Sequence, residues 1–346
     1  MENVLTASRT EEAVAVNEAA DVAAARRAGA DLARRLDFPL EAAGRLALVV
    51  TEAATNVLKH AGRGEILLRT VRGRGASGGI ARGIELLAID GGPGMADAAT
   101  SMVDGNSTAG TYGVGLGAIR RQSDALDIYS LPGHGTVLRA LVWEAPGARE
   151  PWECGLVCVP LAGEDSCGDA AWAAASDDDA VAMISDGLGH GEAAAAASDA
   201  ALELMPGLGF ALPPADLALR MHAVLQKTRG AAIAIARVDA QAGMVTFAGV
   251  GNIAACTIGG GERRHLVSLN GIVGHNLRKA QQFEAAWRDG MLLVLHSDGL
   301  TNRWSLDAYP GLEQAHPALI AGVLYRDFCR GRDDISVLVI RRGAAS

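Results

Sequence analysis

The stretch Glu52-Ala-Ala-Thr-Asn56-Val-Leu-Lys59-His60 lies in an apolar run with helical spacing that begins near Leu40 and stops near Gly62. Glu52 and Asn56 are four residues apart, so on a helix both side chains leave the same face. A carboxylate and an amide in that arrangement can orient a nucleophile and hold Mg2+ through oxygen, the donor that a hard cation prefers. Two further blocks follow in order. Asp90-Gly-Gly-Pro-Gly94-Met95 ends a strand-like run, where the Asp90 carboxylate can accept a hydrogen bond from an amino group such as that of adenine. Gly113-Val-Gly115-Leu-Gly117 then precedes a helical stretch, whose N-terminal amides can cradle phosphates. The glycines at 91, 92 and 94 keep the backbone close and adaptable. A glycine trio alone is a weak signal, but three ordered blocks are a specific one.

Outward from that stretch, Glu11 to Val16 reads as an opening strand and Glu18 to Leu36 as a helix with Val22, Ala25, Gly29, Leu32 and Leu36 along one side. Pro39 separates it from the second helix. Strands are expected at Glu65 to Val71 and Ile84 to Ile89, a helix from Gly115 to Ser123, and a closing hairpin of Asp127 to Ser130 with Gly135 to Trp143 around Pro132-Gly133. Helices and strands in this order predict an α+β sandwich with one sheet face covered.

The order of the blocks resembles the GHKL (Bergerat-type) ATP-binding fold, over residues 1 to about 145. Within it, the Glu-x-x-x-Asn-x-x-Lys-His block is most similar to the anti-sigma and stressosome serine/threonine kinases (RsbW and RsbT type). The resemblance implies Glu52 as general base on a protein hydroxyl, Asn56 as Mg2+ ligand and Asp90 as adenine contact, with Gly92, Gly94, Gly113, Gly115 and Gly117 shaping the ATP pocket and its lid. A sensor histidine kinase would need a phosphoacceptor histidine on a helical hairpin ahead of this domain, and no histidine precedes His60. Lys59 and His60 have two readings of equal weight, catalysis or favourable charge at a helix C-terminus. Arg120 and Arg121 can reach a γ-phosphate or simply face solvent.

The second half carries a different set: Gly168-Asp169, Asp186-Gly187-Leu-Gly-His190-Gly191, Gly251-Asn252, Ser297-Asp298-Gly299 and Arg332-Asp333-Asp334-Ile-Ser336. Asp169, Asp186, Asp298 and Asp333 each stand at an end of an apolar strand-like run, so strand ends from distant parts of the sequence can converge on one cleft. Oxygen donors without His or Cys at metal spacing favour Mg2+ or Mn2+ over zinc. Asp177-Asp178-Asp179 lies between two strand-like runs and reads as a hairpin turn. Helices at Glu192 to Leu204 and Pro214 to Lys227, and strands at Leu156 to Val159, Asp169 to Ala175, Ala231 to Val238, Met244 to Val250, Ala254 to Ile258, Met291 to Ser297 and Ile335 to Ile340, predict a layered β-sandwich flanked by one helix pair.

These blocks resemble the PPM family of metal-dependent protein serine/threonine phosphatases over residues 152 to 342, and within it the short bacterial SpoIIE, RsbU and RsbX branch. The resemblance implies an αββα fold with two Mn2+ or Mg2+ ions. Asp186 would bridge both ions, Asp169 and the Gly187 carbonyl would hold one, and Asp298 and Asp333 the other, with Asp334 as the adjacent alternative. His190 is expected to order its loop.

Glu144 to Pro151 concentrates prolines, glycine and charge, which is how a linker reads; the expected domains are 1–145 and 152–346, with 146–151 between them. At 346 residues with 49% hydrophobic and 21% charged residues, the chain can bury two cores. The net charge of −9 argues against a nucleic-acid partner. No apolar run is long enough to span a membrane, no signal peptide is evident, and the odd number of cysteines, five, fits reduced thiols in a cytoplasm. Adding and removing phosphate on one chain suits a regulator. The expectation is a partner-switching protein that acts on a STAS-domain anti-sigma antagonist or stressosome-type protein, with a sigma factor and a homodimer as further candidate partners. The alternative is a phosphatase whose ATP-binding domain only senses nucleotide and sequesters its partner.

Overall fold

The computed structural model describes residues 3–8, 12–75, 79–95, 114–145, 151–277 and 279–343. Gly113 and most of the expected linker, residues 146–150, lie outside them. The chain forms two compact units, and their membership departs in two places from a single cut at the linker. The strand Asn3–Ser8 belongs with the later residues, because it pairs antiparallel with Asp169–Ala175. The segment Leu306–Arg326 belongs with the first unit.

In the first unit, five strands form an antiparallel sheet in the order Glu12–Val16, Gly64–Arg74, Ile80–Asp90, Gly135–Trp143, Ala125–Leu131. The helices Ala19–Arg35, Leu40–Ala61 and Val114–Gln122 bring a second layer. Leu46, Val50, Ala53 and Val57 recur at helical spacing and bury against Ile66, Leu68, Ile84 and Leu86, which alternate along their strands. The helix Leu40–Ala61 ends where Gly62 turns left-handed (φ 75°) and its N–H bonds back to Leu58 O at 3.1 Å. That stop fixes where Glu52 and Asn56 stand relative to the strand end at Asp90.

Leu67, Arg69, Glu85, Leu87, Ile89, Val137 and Arg139 alternate onto the opposite face and are buried too. The helix Pro317–Phe328 covers them; a Cβ on Gly322 would lie 2.7 Å from Val137 Cγ1. Under it, Glu85 receives Arg69 Nε at 2.6 Å and Arg139 Nε at 2.6 Å, and Arg139 Nη1 also bonds Asp127 at 2.8 Å. The expected sandwich with one covered sheet face is corrected here: both faces are covered, the second by a helix that apolar periodicity alone did not place.

The second unit stacks two sheets. One runs Asn3–Ser8, Asp169–Ala175, Asp179–Gly187, Ala231–Asp239, Met244–Val250, Ser268–Leu269, with Phe283–Ala286 also on Met244–Val250; the other runs Glu262–Leu266, Ala254–Gly259, Leu292–His296, Ile335–Arg342, Trp152–Val159. Their facing sides share a core that includes Leu156, Ile184, Phe247, Leu295 and Leu338. The helices Glu192–Leu202 and Pro214–Leu225 pack on the outer side of the first sheet through Ala201, Leu217, Met221 and Leu225. Asp177 and Asp178 form the turn between paired strands, as their spacing predicts. No helix among the described residues is long and apolar enough to cross a membrane.

Candidate functional site

In the first unit, Glu52 and Asn56 lie together under the start of the helix Val114–Gln122. A Cβ built on Gly115 would stand 3.1 Å from Asn56 Oδ1 and 3.3 Å from Glu52 Oε2, so only a glycine leaves that space open. Asn56 Nδ2 is buried without a hydrogen-bond partner among the described residues. A buried amide donor left in that condition is costly unless a ligand takes it up, and a phosphate oxygen beside a hard cation on Oδ1 would do so. The residues present therefore fit Mg2+-nucleotide.

Asp90 ends the central strand Ile80–Asp90 next to Gly64 and Thr136 on its two neighbours. Its Oδ1 accepts the Gly92 N–H at 2.8 Å, which folds the loop back over the strand end. Burial pushes the Asp90 pKa up, opposed by backbone bonds from Gly92 and Thr136 and by the charges of Arg326 and His60. Gly92 abuts Ala61, and Gly94 (φ 70°) packs against Leu131 O, leaving no room for a side chain at either. Gly117 is buried within its helix. His60, at the helix end, is held below its usual pKa by burial and by Lys59, with Asp90 opposing. Arg120 is exposed. Two neighbours of Asp90 were not anticipated. Thr136 carries no motif, and Arg326, whose Nη1 lies 3.5 Å from Asp90 O, comes from a segment far along the sequence.

In the second unit, Asp169 and Asp186 are directly opposed residues of adjacent strands. Burial raises the pKa of Asp186, and the charges of Asp169, Asp298, Asp333 and Asp334 raise it further. Burial likewise raises Asp169; the neighbouring Ser297 and Ser336 oppose this, while Asp334 and Asp333 add to it. Asp333 is raised by burial and by Asp298 and Asp334, with His190 opposing. Asp186 thus feels the other three predicted acids, which places the four in one region.

Glycines permit the crowding. A Cβ on Gly168 would meet Asp334 Oδ2 at 2.6 Å, one on Gly187 would meet Ala194 O at 2.1 Å, and one on Gly299 would meet Asp334 O at 2.1 Å. The adjacent acids Asp333, the expected ligand, and Asp334, its alternative, separate clearly. Asp334 is buried and spends both oxygens on backbone donors, Leu161 N and Gly168 N, each at 2.7 Å. Asp333 is half-buried, and its Oδ1 accepts the local Asp334 N–H at 2.9 Å. Asn252 Nδ2 hydrogen-bonds Asp298 Oδ2, which orients that carboxylate. His190 Nδ1 lies 2.7 Å from Glu164 Oε1 and stays on the loop rim.

Among the described residues, no three acidic, histidine or cysteine side chains form a ready-made metal cage. Mutually repelling carboxylates do not close on one another without a cation between them. An all-oxygen set of four acids in one field, with no arginine or lysine among the leading influences on it, nevertheless fits hard divalent ions, which keep several waters and need few carboxylates each.

The model of the histidine kinase-like ATPase domain matches residues 15–142, and that of stage II sporulation protein E (SpoIIE) matches residues 176–343. Serine/threonine-protein kinase RsbT of Bacillus subtilis (strain 168) is 35% identical over 123 residues, 36% of this chain and 89% of RsbT. The chain belongs to the RsbT-like family. It is a fusion, in which the RsbT-like ATPase domain is followed by a SpoIIE-type phosphatase domain. Phosphoserine phosphatase RsbX of the same organism is 25% identical over 140 residues, 40% of this chain and 69% of RsbX. A solved structure described as "The bacterial stressosome: a modular system that has been adapted to control secondary messenger signaling" superposes with a TM-score of 0.52 at 27% identity, covering 55% of this chain and 99% of its own. The GHKL-type and phosphatase-type folds read from the motifs therefore stand, and the second domain is of the protein serine/threonine phosphatase type.

Proposed function

We propose that this RsbT-like fusion is a bifunctional partner-switching regulator, which phosphorylates a regulatory protein on Ser or Thr in its ATPase domain and removes phosphate from phosphoserine or phosphothreonine in its phosphatase domain. The substrate class is a STAS-domain antagonist or another stressosome-type protein, in keeping with the likeness to RsbT and RsbX. The observation that carries the reading is the pair of polar clusters on one chain: Glu52 and Asn56 beneath Gly115, and the directly opposed acids Asp169 and Asp186.

In the ATPase domain, Glu52 would take the proton of the attacking hydroxyl while Asn56 holds the Mg2+ of the nucleotide. Asp90 would accept the adenine amino group, with Gly92, Gly94, Gly113, Gly115 and Gly117 shaping the pocket. Phosphoryl transfer is chiefly positioning and charge neutralisation, so a base, a cation and a backbone cradle suffice.

In the phosphatase domain, Asp186 would stand between two ion positions, with Asp169 and the Gly187 carbonyl on one side and Asp298 and Asp333 on the other. When bound, Mn2+ or Mg2+ ions supply an activated water and neutralise the phosphate for in-line attack. Asn252 holds Asp298 in orientation, and Asp334 fixes the backbone that carries Asp169.

Incubating the full chain with γ-labelled ATP and a candidate STAS protein tests both halves. Glu52→Ala should lose phosphate gain and keep phosphate removal; Asp186→Ala should show the reverse. Nucleotide binding without transfer in the unsubstituted chain would leave a phosphatase with an ATP-sensing domain that sequesters its sigma-factor or antagonist partner. If neither substitution changed either flux, both catalytic assignments would be wrong.

A further inference from the structure

The turn between the helix Pro214–Leu225 and the strand Ala231–Asp239 carries Lys227-Thr-Arg229-Gly230 and is tied down on every side. Thr228 N and Thr228 Oγ1 both donate to Leu225 O, at 2.9 and 2.8 Å, and Gly230 N donates to Thr228 Oγ1 at 3.0 Å. His275 Nε2 donates to Arg229 O at 2.9 Å. Gly230 takes a left-handed φ of 76°, and a Cβ there would strike Val273 O at 2.6 Å. The turn also touches the acidic loop directly, since Leu188 N donates to Gly230 O at 3.0 Å and Ala231 and Ala232 are register partners of Gly187 and Asp186.

From this fixed backbone the Arg229 side chain reaches Gly189, in the loop that follows Asp186. Its Nη1 lies 3.1 Å from where a Cβ on Gly189 would be. Arg229 is exposed, and among the described residues its guanidinium has no hydrogen-bond or ion-pair partner. Gly189 O in turn lies 3.3 Å from where a Cβ on Gly168, the neighbour of Asp169, would be. An arginine on a rigid turn against this loop, with its head group uncommitted, is placed to receive an anion at the rim of the acid cluster. The basic group on the loop itself, His190, is engaged with Glu164.

We propose that Arg229 binds the phosphate of the phosphorylated substrate, and of the phosphate product, at the edge of the acid cluster. The inference rests on the phosphatase reading and adds a binding residue to it. A guanidinium can meet a phosphate with two parallel N–H···O bonds, and the anion's approach to a field of carboxylates requires such a counter-charge. The glycine at 189 leaves space for the guanidinium.

The test uses the full chain loaded with Mn2+, with p-nitrophenyl phosphate as substrate and inorganic phosphate as ligand, the latter followed by calorimetric titration. Arg229→Ala should raise KM and the phosphate Kd by about tenfold, the loss of one charge-assisted contact, with kcat, Mn2+ affinity and melting temperature nearly unchanged. Arg229→Lys should recover part of the affinity, and Lys227→Ala, an exposed cation on the same turn, should behave as the parent chain. Unchanged KM and phosphate Kd in Arg229→Ala would overturn the proposal. So would a loss confined to Mn2+ affinity, or an equivalent loss seen only in Arg332→Ala, the exposed cation beside Asp333. If the parent chain hydrolyses nothing, the phosphatase reading fails, and the phosphate titration alone decides: equal Kd in parent and Arg229→Ala overturns the proposal, and a weakened Kd in the variant supports it.

Discussion

Asp169 and Asp186 stand directly opposite one another in the antiparallel ladder between Asp169–Ala175 and Asp179–Gly187. Opposed residues project from the same sheet face with Cβ atoms about 4.5–5.5 Å apart, where like charges repel. Burial raises the pKa of both carboxyls, and the acids around them raise it further. Such a pair weakens the empty protein and is relieved by a divalent cation. Asp186→Asn is therefore expected to abolish hydrolysis of p-nitrophenyl phosphate while leaving the metal-free melting temperature equal or higher. Mn2+ at a hundred times its Kd should stabilise the parent domain by about 2.7 kcal/mol and the variant far less. A Mn2+-induced shift that survived the substitution would remove Asp186 from the ligand set.

Glu52 and Asn56 were legible because the i, i+4 relation and the stop at Gly62 are local, and Asp169 and Asp186 because apolar runs end at them. Other features depend on distant backbone. Nothing in Arg332-Asp333-Asp334-Ile335 tells which acid faces inward; the amides of Leu161 and Gly168 decide it. The helix Pro317–Phe328 is apolar on all sides, so its sequence shows no face, and its place over Val137 follows only from the folded sheet. Arg229 follows a helical stretch like any solvated cation, and only its approach to Gly189 sets it apart.

The ATPase pocket separates binding from chemistry. Glu52→Gln should retain ATP affinity and lose phosphoryl transfer by about 10²- to 10⁴-fold, the usual contribution of a general base. Asn56→Ala should instead weaken Mg2+-dependent nucleotide binding. Gly115→Ala adds a methyl 3.1 Å from Asn56 Oδ1 and 3.3 Å from Glu52 Oε2. With overpacking typically costing about 1–3 kcal/mol, it should reduce ATP affinity without unfolding the helix. Fluorescent-nucleotide titration beside a transfer assay distinguishes the three; equal loss of binding in Glu52→Gln would argue against its role as base.

Glu85 gives the ATPase domain a defined acid limit. Burial alone would raise its pKa, but Arg69 and Arg139, with a lesser contribution from His316, hold it down at about 2. In the unfolded chain it takes up its proton near 4.5. Between these values the unfolded state binds more protons, so the stability contributed by Glu85 is complete above pH 4.5 and is lost as the pH falls toward 2. The loss should amount to about 3 kcal/mol. Glu85→Gln, which leaves two buried arginines short of a counter-charge, should cost about 3–5 kcal/mol at neutral pH and flatten this acid slope. Chemical denaturation at several pH values measures both, and an unchanged slope in the variant would exclude Glu85 as its source.

Asp333 and Asp334 are neighbours in sequence with opposite duties, and substitution should separate them. Asp334 is buried and binds Leu161 N and Gly168 N, so Asp334→Ala strands two amides, one of them on the immediate neighbour of Asp169. Each stranded buried donor costs about 1–3 kcal/mol, so the variant should melt well below the parent with or without Mn2+. Asp333→Ala loses one bond to its own neighbour's N–H and an acid from a repelling cluster, so its metal-free stability should stay close to the parent's while its Mn2+ affinity falls. Melting curves and Mn2+ calorimetry on both variants decide the matter. If Asp334→Ala kept its stability and lost metal, the second ion position would have to be built on Asp334 in place of Asp333.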